Sequence, residues 1–249
     1  MSNSAAQETY GLFSTIANRK LVSKLENDGV KVFQFPAVET EKVVLDETSI
    51  KYLQNLTNFD WIIFPDVFAV DYFLQALEMC EIDFFELDAL SVFALGEAVA
   101  NRLRFIQLHA DLIPNFIETE SVFLTLSDFT SQKGLENLRF LLPKEILSSI
   151  GITKKLTENK ADITELPIYR AKITDKREVS KLKVLLTGGA IDKFIFSSPT
   201  DLVSLKYLFS DVSIAEILSE TEVSATDEVT FRALKEYNLK SKLRFQLVK

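Results

Sequence analysis

The sequence predicts an α/β protein of two similar lobes, each a mostly parallel sheet with helices on both faces. Three observations predict it. Short apolar runs alternate with amphipathic stretches along the chain, and that alternation builds parallel sheets through right-handed crossovers. The stretch WIIFPDVFAVDYFLQAL, then SVFALGEAVANRL, recurs as FIFSSPTDLVSLKYLF, then EVSATDEVTFRAL. Phe64 falls on Phe196, Ala94 on Ala225 and Leu103 on Leu234, an offset of about 131 residues, and a fixed offset is repeat architecture. A second unit, YGLFSTIANRKLVSKLENDGVKVFQFPAVE, resembles the later LRFLLPKEILSSIGITKKLTENKADITELPIYRAK, with Pro36 falling on Pro167. Each lobe needs one unit of each kind. Periodicity alone leaves the pairing open.

The elements follow in order. Residues 1–9, MSNSAAQET, are small and polar and read as a loose tail. Tyr10–Thr15 is a strand. Ile16–Asp28 is an amphipathic helix stopped by Gly29, which suits a left-handed cap. Lys31–Phe35 is a strand stopped by Pro36, and Ala37–Val44 is an extended crossing between lobes. Glu47–Leu56 is a short helix leading to Trp61. The strand after it is a four-residue apolar run, and its helix carries Phe68, Tyr72, Leu74 and Leu77 at helical spacing. Leu112 and Ile113 are strand-like, and a helix runs through Phe123 and Leu126. Leu138–Leu142 is a strand, after which Pro143 opens a helix at a tolerated first-turn position. Pro167–Thr174 is the second crossing. Lys176–Thr187 reads as helix into strand, with Gly188-Gly189 as a turn, and LRFQLV closes the chain as a strand.

Composition narrows the chemistry. An apolar share of 47% over 249 residues supports real cores and excludes bulk disorder. A net charge of −8 without any basic run argues against non-specific nucleic-acid binding. The twenty Phe read as core packing. Cys80 is the only cysteine, so no internal disulfide forms; near a helix end with no His close in sequence, it reads as a structural thiol. His109 is the only histidine, which excludes a multi-His metal site, and LHADLIP suits it to a loop or cap. No basic start with an apolar core suggests a secretory signal, and no apolar run reaches a membrane span, so a cytoplasmic protein is expected. GxGxxG, P-loop, CxxC and HExxH motifs are all missing, which removes the usual support for dinucleotide, nucleotide-phosphate and zinc-hydrolase readings.

In open parallel sheets ligands collect beyond the carboxyl ends of the strands. Six strand-to-helix turns qualify as that rim: around Thr15, Pro65, Gly96, Pro143, Ser198 and Thr226. Helix starts present unpaired N–H groups and a positive dipole end, which attract anions. Two such rims facing each other would form an anion-accepting cleft with few basic side chains.

The succession DWIIFPDVFAV, FALGEAVANRL, FLLP with helix and LPIYRA, KFIFSSPTDLVSL, and ATDEVTFRALKEYNL resembles the uroporphyrinogen-III synthase family across nearly the whole chain. The joint order is more specific than any one piece. The resemblance implies two α/β lobes joined by a two-stranded linker, with a cleft between them. Residues 1–37 and 173–249 would form one lobe, 42–167 the inserted lobe, and about 38–41 and 168–172 the linkers. It also implies cyclisation of hydroxymethylbilane with D-ring inversion and loss of water, in tetrapyrrole and heme biosynthesis. The substrate is a linear tetrapyrrole with eight carboxylates; no cofactor and no metal are needed, and the protein is expected to act as a cytoplasmic monomer. Tyr169 matches the family tyrosine that would assist hydroxyl departure. Ser197, Ser198 and Pro199 match a Thr-Ser-Pro turn that would bind substrate carboxylates. Thr15, Gly96 and Thr230 match further rim positions, with Thr230 on the second threonine of a Gly-x-Thr-Thr helix start. The chain departs from the pattern at Pro65-Asp66-Val67-Phe68, where a Thr-Ser-x-Asn type of turn is usual, and Pro65 and Asp66 then become the rim residues of that turn. Ile16 stands where a basic residue is common, and Asp227-Glu228 replace Gly-Pro. Those acidic residues would repel substrate carboxylates. They motivate the alternative of a non-catalytic, regulatory relative that binds a tetrapyrrole or anion without turnover.

Overall fold

The structure is a computed structural model that describes residues 7–15, 18–130, 134–148, 150–172, 176–209 and 213–243. The chain divides into two compact units, Met1–Glu39 with Lys172–Lys249, and Thr40–Ala171. Each contains one five-stranded sheet.

The first unit's sheet has the order β10-β9-β8-β1-β2. Its strands are β1 (Thr9–Ser14), β2 (Lys31–Pro36), β8 (Lys193–Phe196), β9 (Glu222–Ala225) and β10 (Ser241–Leu243), and every neighbouring pair is parallel. Helix α1 (Arg19–Asn27) buries Leu21, Val22 and Leu25 against Tyr10, Leu12 and Ile195. Three residues of a nine-residue helix at i, i+1 and i+4 form one apolar stripe, as an amphipathic surface helix requires. Gly29 lies just past its end at φ +82°, a conformation that costs most residues a Cβ clash.

The second unit's sheet has the order β3-β7-β6-β4-β5. Its strands are β3 (Glu39–Lys42), β4 (Trp61–Phe64), β5 (Ser91–Ala94), β6 (Arg139–Glu145) and β7 (Asp162–Lys172), with β5, β4, β6 and β7 parallel in turn. All four residues of β4 are buried, because a parallel sheet is covered on both faces. Helices α3 (Val67–Met79) and α4 (Glu97–Phe105) cover one face through Ala69, Val70, Phe73, Val99 and Leu103. Helices α5 (Thr119–Thr130) and α6 (Gly151–Glu158) cover the other through Val122, Leu126, Ile152 and Leu156. Phe64, Phe73, Phe93 and Phe140 are fully buried there, each worth about 1.5–3 kcal/mol of burial. Cys80 caps the end of α3, partly buried against this core.

The repeat holds element by element. β4 and α3 correspond to β8 and α8 (Pro199–Leu208); β5 and α4 correspond to β9 and α10 (Glu228–Glu236). β1, α1 and β2 correspond to β6, α6 and β7. Even the edge strand has a counterpart, since Leu112 forms a parallel bridge to Phe93 where β10 pairs with β9. The core is repacked between copies. Gly11 pairs with Phe194 in one sheet, and Leu141 pairs with Ile62 at the same place in the other. A Cβ on Gly11 would stand 2.8 Å from Phe194 Cδ2, so small-plus-large in one copy replaces medium-plus-medium in the other.

Three expectations are corrected. Pro143 does not open a helix: it lies inside β6, opposite Leu166. The backbone carbonyl of Arg139 accepts from Asp60 N on the β4 side, and strand alternation puts Pro143 on that same side. The β4–β6 pairing ends at Ile62 and Leu141, just before the proline, which has no N–H to carry the ladder further. Helix α6 begins only at Gly151. Second, Lys176–Thr187 is helical throughout, α7. Leu182 and Leu186 are buried while Val184 is 69% exposed, which a strand with alternating faces would not produce. Third, the helix predicted from Ile16 starts at Arg19; Ile16 itself lies outside the described residues, as do residues 244–248 of the closing strand. Helix α2 (Glu47–Gln54) and helix α9 (Ile214–Ile217) are the remaining α-helices among the described residues. No helix among the described residues is long and apolar enough to cross a membrane.

Candidate functional site

The carboxyl ends of the strands carry most of the residues singled out from sequence. The rim of each unit is built by the same backbone and furnished differently.

In the second unit β4 ends at Phe64, and Pro65 turns the chain into α3. Asp66 is the N-cap of that helix, extended at φ −158° and ψ 174°. Its Oδ1 accepts from Ala69 N at 2.8 Å. Its Oδ2 accepts from the Tyr169 hydroxyl at 2.6 Å, although 103 residues separate the two in the chain. Tyr169 lies on β7, opposite Glu145. Its ring stacks on Tyr72 at 5.3 Å and 10°, and Phe68 leans on it at 6.0 Å. The Tyr72 hydroxyl donates in turn to Thr40 Oγ1 at 3.1 Å. Tyr169 is 0% exposed; Asp66 is half-buried. A neighbouring turn leads into α4 through Gly96, whose φ of 108° and ψ of 162° exclude other residues without strain. Leu95 N donates to Phe64 O, which joins the two turns. Helix α4 has no side-chain cap at Gly96.

In the first unit β8 ends at Phe196, and Ser197-Ser198-Pro199 turns into α8. Ser198 is the N-cap, its Oγ accepting from Thr200 N at 3.0 Å, and Pro199 occupies the first turn, where its missing N–H costs nothing. Asp201 reaches back: its Oδ2 accepts from Ser197 N at 2.7 Å and from Ser197 Oγ at 2.9 Å. Burial pushes the Asp201 carboxyl above the usual carboxylate range, and the nearby Asp227 charge adds to this against the opposing Ser197 and Ser198 bonds. The adjoining turn is tied on by Thr226, whose N–H donates to Phe196 O and whose hydroxyl donates to Ser197 O. Asp227 caps α10, accepting from Thr230 N and from Thr230 Oγ1, both at 2.8 Å. Thr230 is fully buried and serves Asp227. Thr15, just past β1, accepts from Asn18 N with its carbonyl and its hydroxyl.

Two of the acidic departures, Asp66 and Asp227, are thus engaged within the fold, while Glu228 is exposed and pairs with Arg232. The Asp66 and Asp227 carboxylates each accept two hydrogen bonds at a helix start, where the dipole favours a negative group. The structure brings Pro65, Asp66 and Tyr169 together, with Gly96 on the adjoining turn. Ser197, Ser198 and Pro199 gather with Thr226, Asp227 and Thr230. Pro143 joins no helix-start group. Two residues escaped the sequence reading. Asp201 was visible in principle, because Ser198-Pro-Thr-Asp201 is a capping-box spacing. Glu145, 3% exposed, takes Leu147 N and Ala171 N on its carboxylate; no local pattern signals that clamp. Among the described residues no group of His, Cys, Asp and Glu could hold a metal ion.

Comparison with known proteins adds the following. A family model described as Uroporphyrinogen-III synthase HemD matches residues 19–243. A "Porphyrin biosynthesis protein HemD" of Ruminiclostridium josui is 20% identical over 220 residues, covering 88% of this chain and 42% of that protein. The chain thus spans less than half the length of that relative. A "Uroporphyrinogen-III synthase" of Chlorobaculum parvum is 23% identical over 220 residues, covering 88% of this chain and 85% of the relative. In fold, the chain is similar to crystal structures of uroporphyrinogen III synthase from Thermus thermophilus, at TM-score 0.65 and 18% identity over 95% of this chain and 92% of that one. A mutant form of the same enzyme superposes with TM-score 0.65 over 95% and 91% of the two chains, at 17% identity.

Proposed function

Because the chain belongs to the uroporphyrinogen-III synthase family, we propose that it cyclises hydroxymethylbilane to uroporphyrinogen III, inverting the D ring and losing water, in porphyrin and heme biosynthesis. The observation that carries this reading is the family match over residues 19–243. The rims support it. The substrate bears eight carboxylates, and the turns at Thr15, Pro65–Asp66, Gly96, Ser197–Pro199 and Asp227–Thr230 place helix starts at strand ends, where anions gain from backbone donors. The reaction proceeds by loss of hydroxide to an azafulvene and then a spiro intermediate. Holding the chain for the correct closure matters more than strong acid–base chemistry. No cofactor enters these steps. The protein acts as a cytoplasmic monomer on this small-molecule substrate, with neither nucleic acid nor membrane as partner. Tyr169 serves hydroxyl departure from the buried side of the rim, through the carboxylate its phenol touches.

The test is product analysis with purified protein. Enrichment of the III isomer over the I isomer of spontaneous closure is expected, and a product no richer in III rejects the reading. Tyr169→Phe is expected to slow III formation; an unchanged rate removes that residue from the mechanism. A second reading, binding without turnover, draws on the complete burial of Tyr169 and the commitment of its hydroxyl to Asp66. Tetrapyrrole binding with no rate enhancement would select it, and full turnover would end it.

A further inference from the structure

We propose that an apolar cavity at the far end of the second unit is a docking site for a basic, amphipathic helical segment of another protein. Helices α3 and α4 both start at the rim, at Asp66 and Gly96, and run away from it. The thirteen residues of α3 carry the chain roughly 20 Å, so its last turn lies at the opposite end from the candidate site. There Leu74 of α3, Ile82 and Phe84 beyond it, and Ile106 just past α4 line a cavity of about 400 Å³, together with Glu78 and Asp83. The four apolar residues pack on the unit's core and are only partly buried by it. Phe85 extends the apolar surface: its ring lies 4.2 Å from that of Phe84 and the residue is 62% exposed. Phe105, beside Ile106 in the chain, is exposed as well. Apolar surface gathered around one hollow and rimmed by polar groups marks an interaction site more often than scattered exposed residues do.

The surrounding charge selects the partner. No Lys or Arg occurs between Lys51 and Arg102, a stretch that holds nine Asp and Glu. Five of these, Glu78, Glu81, Asp83, Glu86 and Asp88, are exposed around the cavity and in the segment that follows it. Asp83 accepts from Phe85 N. The other four carboxylates have no ion pair or hydrogen bond among the described residues. The cations at hand are committed elsewhere: Arg102 to Asp71, Arg104 to Glu97, and Lys42 to the Met79 sulfur at 3.9 Å. Like charges set this close repel one another, and a cationic partner relieves the repulsion. An amphipathic helix supplies both halves of the match. Apolar anchors at i, i+3 and i+4 enter the cavity, and flanking Lys or Arg side chains lie over the carboxylates. The same field repels a substrate with eight carboxylates, so the cavity is no second substrate subsite.

The test is fluorescence anisotropy with the full chain and a labelled synthetic peptide of about 15 residues, long enough to form a helix, with Leu along one face and Lys on its flanks. A Kd of about 10 μM is expected at low salt, as for a small transient interface, weakening about tenfold at high salt. A twin peptide with Glu for Lys, and another with Ser for Leu, should each bind at least about tenfold more weakly. On the protein, Glu78→Lys with Glu81→Lys should weaken binding about tenfold, and so should Phe84→Ser. Should Phe84→Ser misfold by circular dichroism, the exposed Phe85→Ser takes its place, with a loss of about threefold. No binding of the basic peptide, equal binding of its acidic twin, or full affinity in the Glu78→Lys/Glu81→Lys variant overturns the proposal. Self-association of the chain that Phe85→Ser abolishes would give the cavity to a second copy, and overturns it too.

Discussion

The two rims share a backbone and differ in chemistry at each equivalent position. Asp66 corresponds to Ser198, Ala69 to Asp201, Gly96 to Asp227 and Val99 to Thr230. The first unit's rim is a net of hydroxyls and carboxylates that bind each other locally, within a few residues. The second unit's rim is aromatic and apolar around one long-range pair, Asp66 and Tyr169. Duplicated turns preserved the cap and the strand end, because those hold the fold, and left the remaining side chains free to specialise.

The correspondence can be broken most sharply in the core. Gly11→Leu should destabilise the protein by about 3 kcal/mol, since it drives a side chain into Phe194 and Ile191. Adding Phe194→Ile recreates the Leu141–Ile62 pair of the sister sheet and should recover at least half of that loss in denaturant melts. A double variant no more stable than the single one would show that the sheets are not interchangeable at this place. Next come the glycine and aspartate caps. Gly96→Ala should cost about 1–3 kcal/mol because of its backbone angles. Asp227→Gly should cost about 1 kcal/mol, through the lost cap and the stranded Thr230 hydroxyl. Equal costs would mean that the two starts are held by the same forces.

The smallest effect is the pH dependence contributed by Asp201 in the first unit. The folded Asp201 carboxyl is raised, chiefly by burial. The native state therefore holds that proton more tightly than the unfolded chain does. Its contribution is full below the unfolded value and is lost as pH climbs through the raised folded value. Stability should fall over that interval, and Asp201→Asn should flatten the fall, with a gain at neutral pH of about 1 kcal/mol or less. Ala69 in the sister turn has nothing to titrate. Thermal melts across the acid-to-neutral range check this; an identical slope in variant and wild type would assign the dependence elsewhere.

Much of the architecture was legible because repeats leave a constant offset. Strand β4 and its turn could be read from four apolar residues and a proline, and α1 from its stripe and Gly29. Pro143 misled because proline suits a first helical turn, and nothing local says that it continues a strand whose pairing with β4 stops at Leu141. Lys183-Val184-Leu185-Leu186 misled because a short apolar run fits either period; only the exposure of Val184 separates them. The Asp66 carboxylate could be found, but not its partner. A bond spanning 103 residues is set by tertiary packing, and no spacing rule encodes it. Glu145 was out of reach for the same reason: one of its partners, Ala171, comes from the next strand but is remote in sequence.

The first unit's central pairing, β1 beside β8, joins residues 183 apart, Thr9 to Asp192. During synthesis the inserted unit has every one of its strands once Lys172 has emerged, and it can fold while the ribosome is still at work. Strands β1 and β2 must wait, exposing Phe13, Phe33 and Phe35 until the last third arrives. A chain stalled near residue 175 would thus carry one finished unit and one sticky half-sheet, the species on which chaperones would be expected to act.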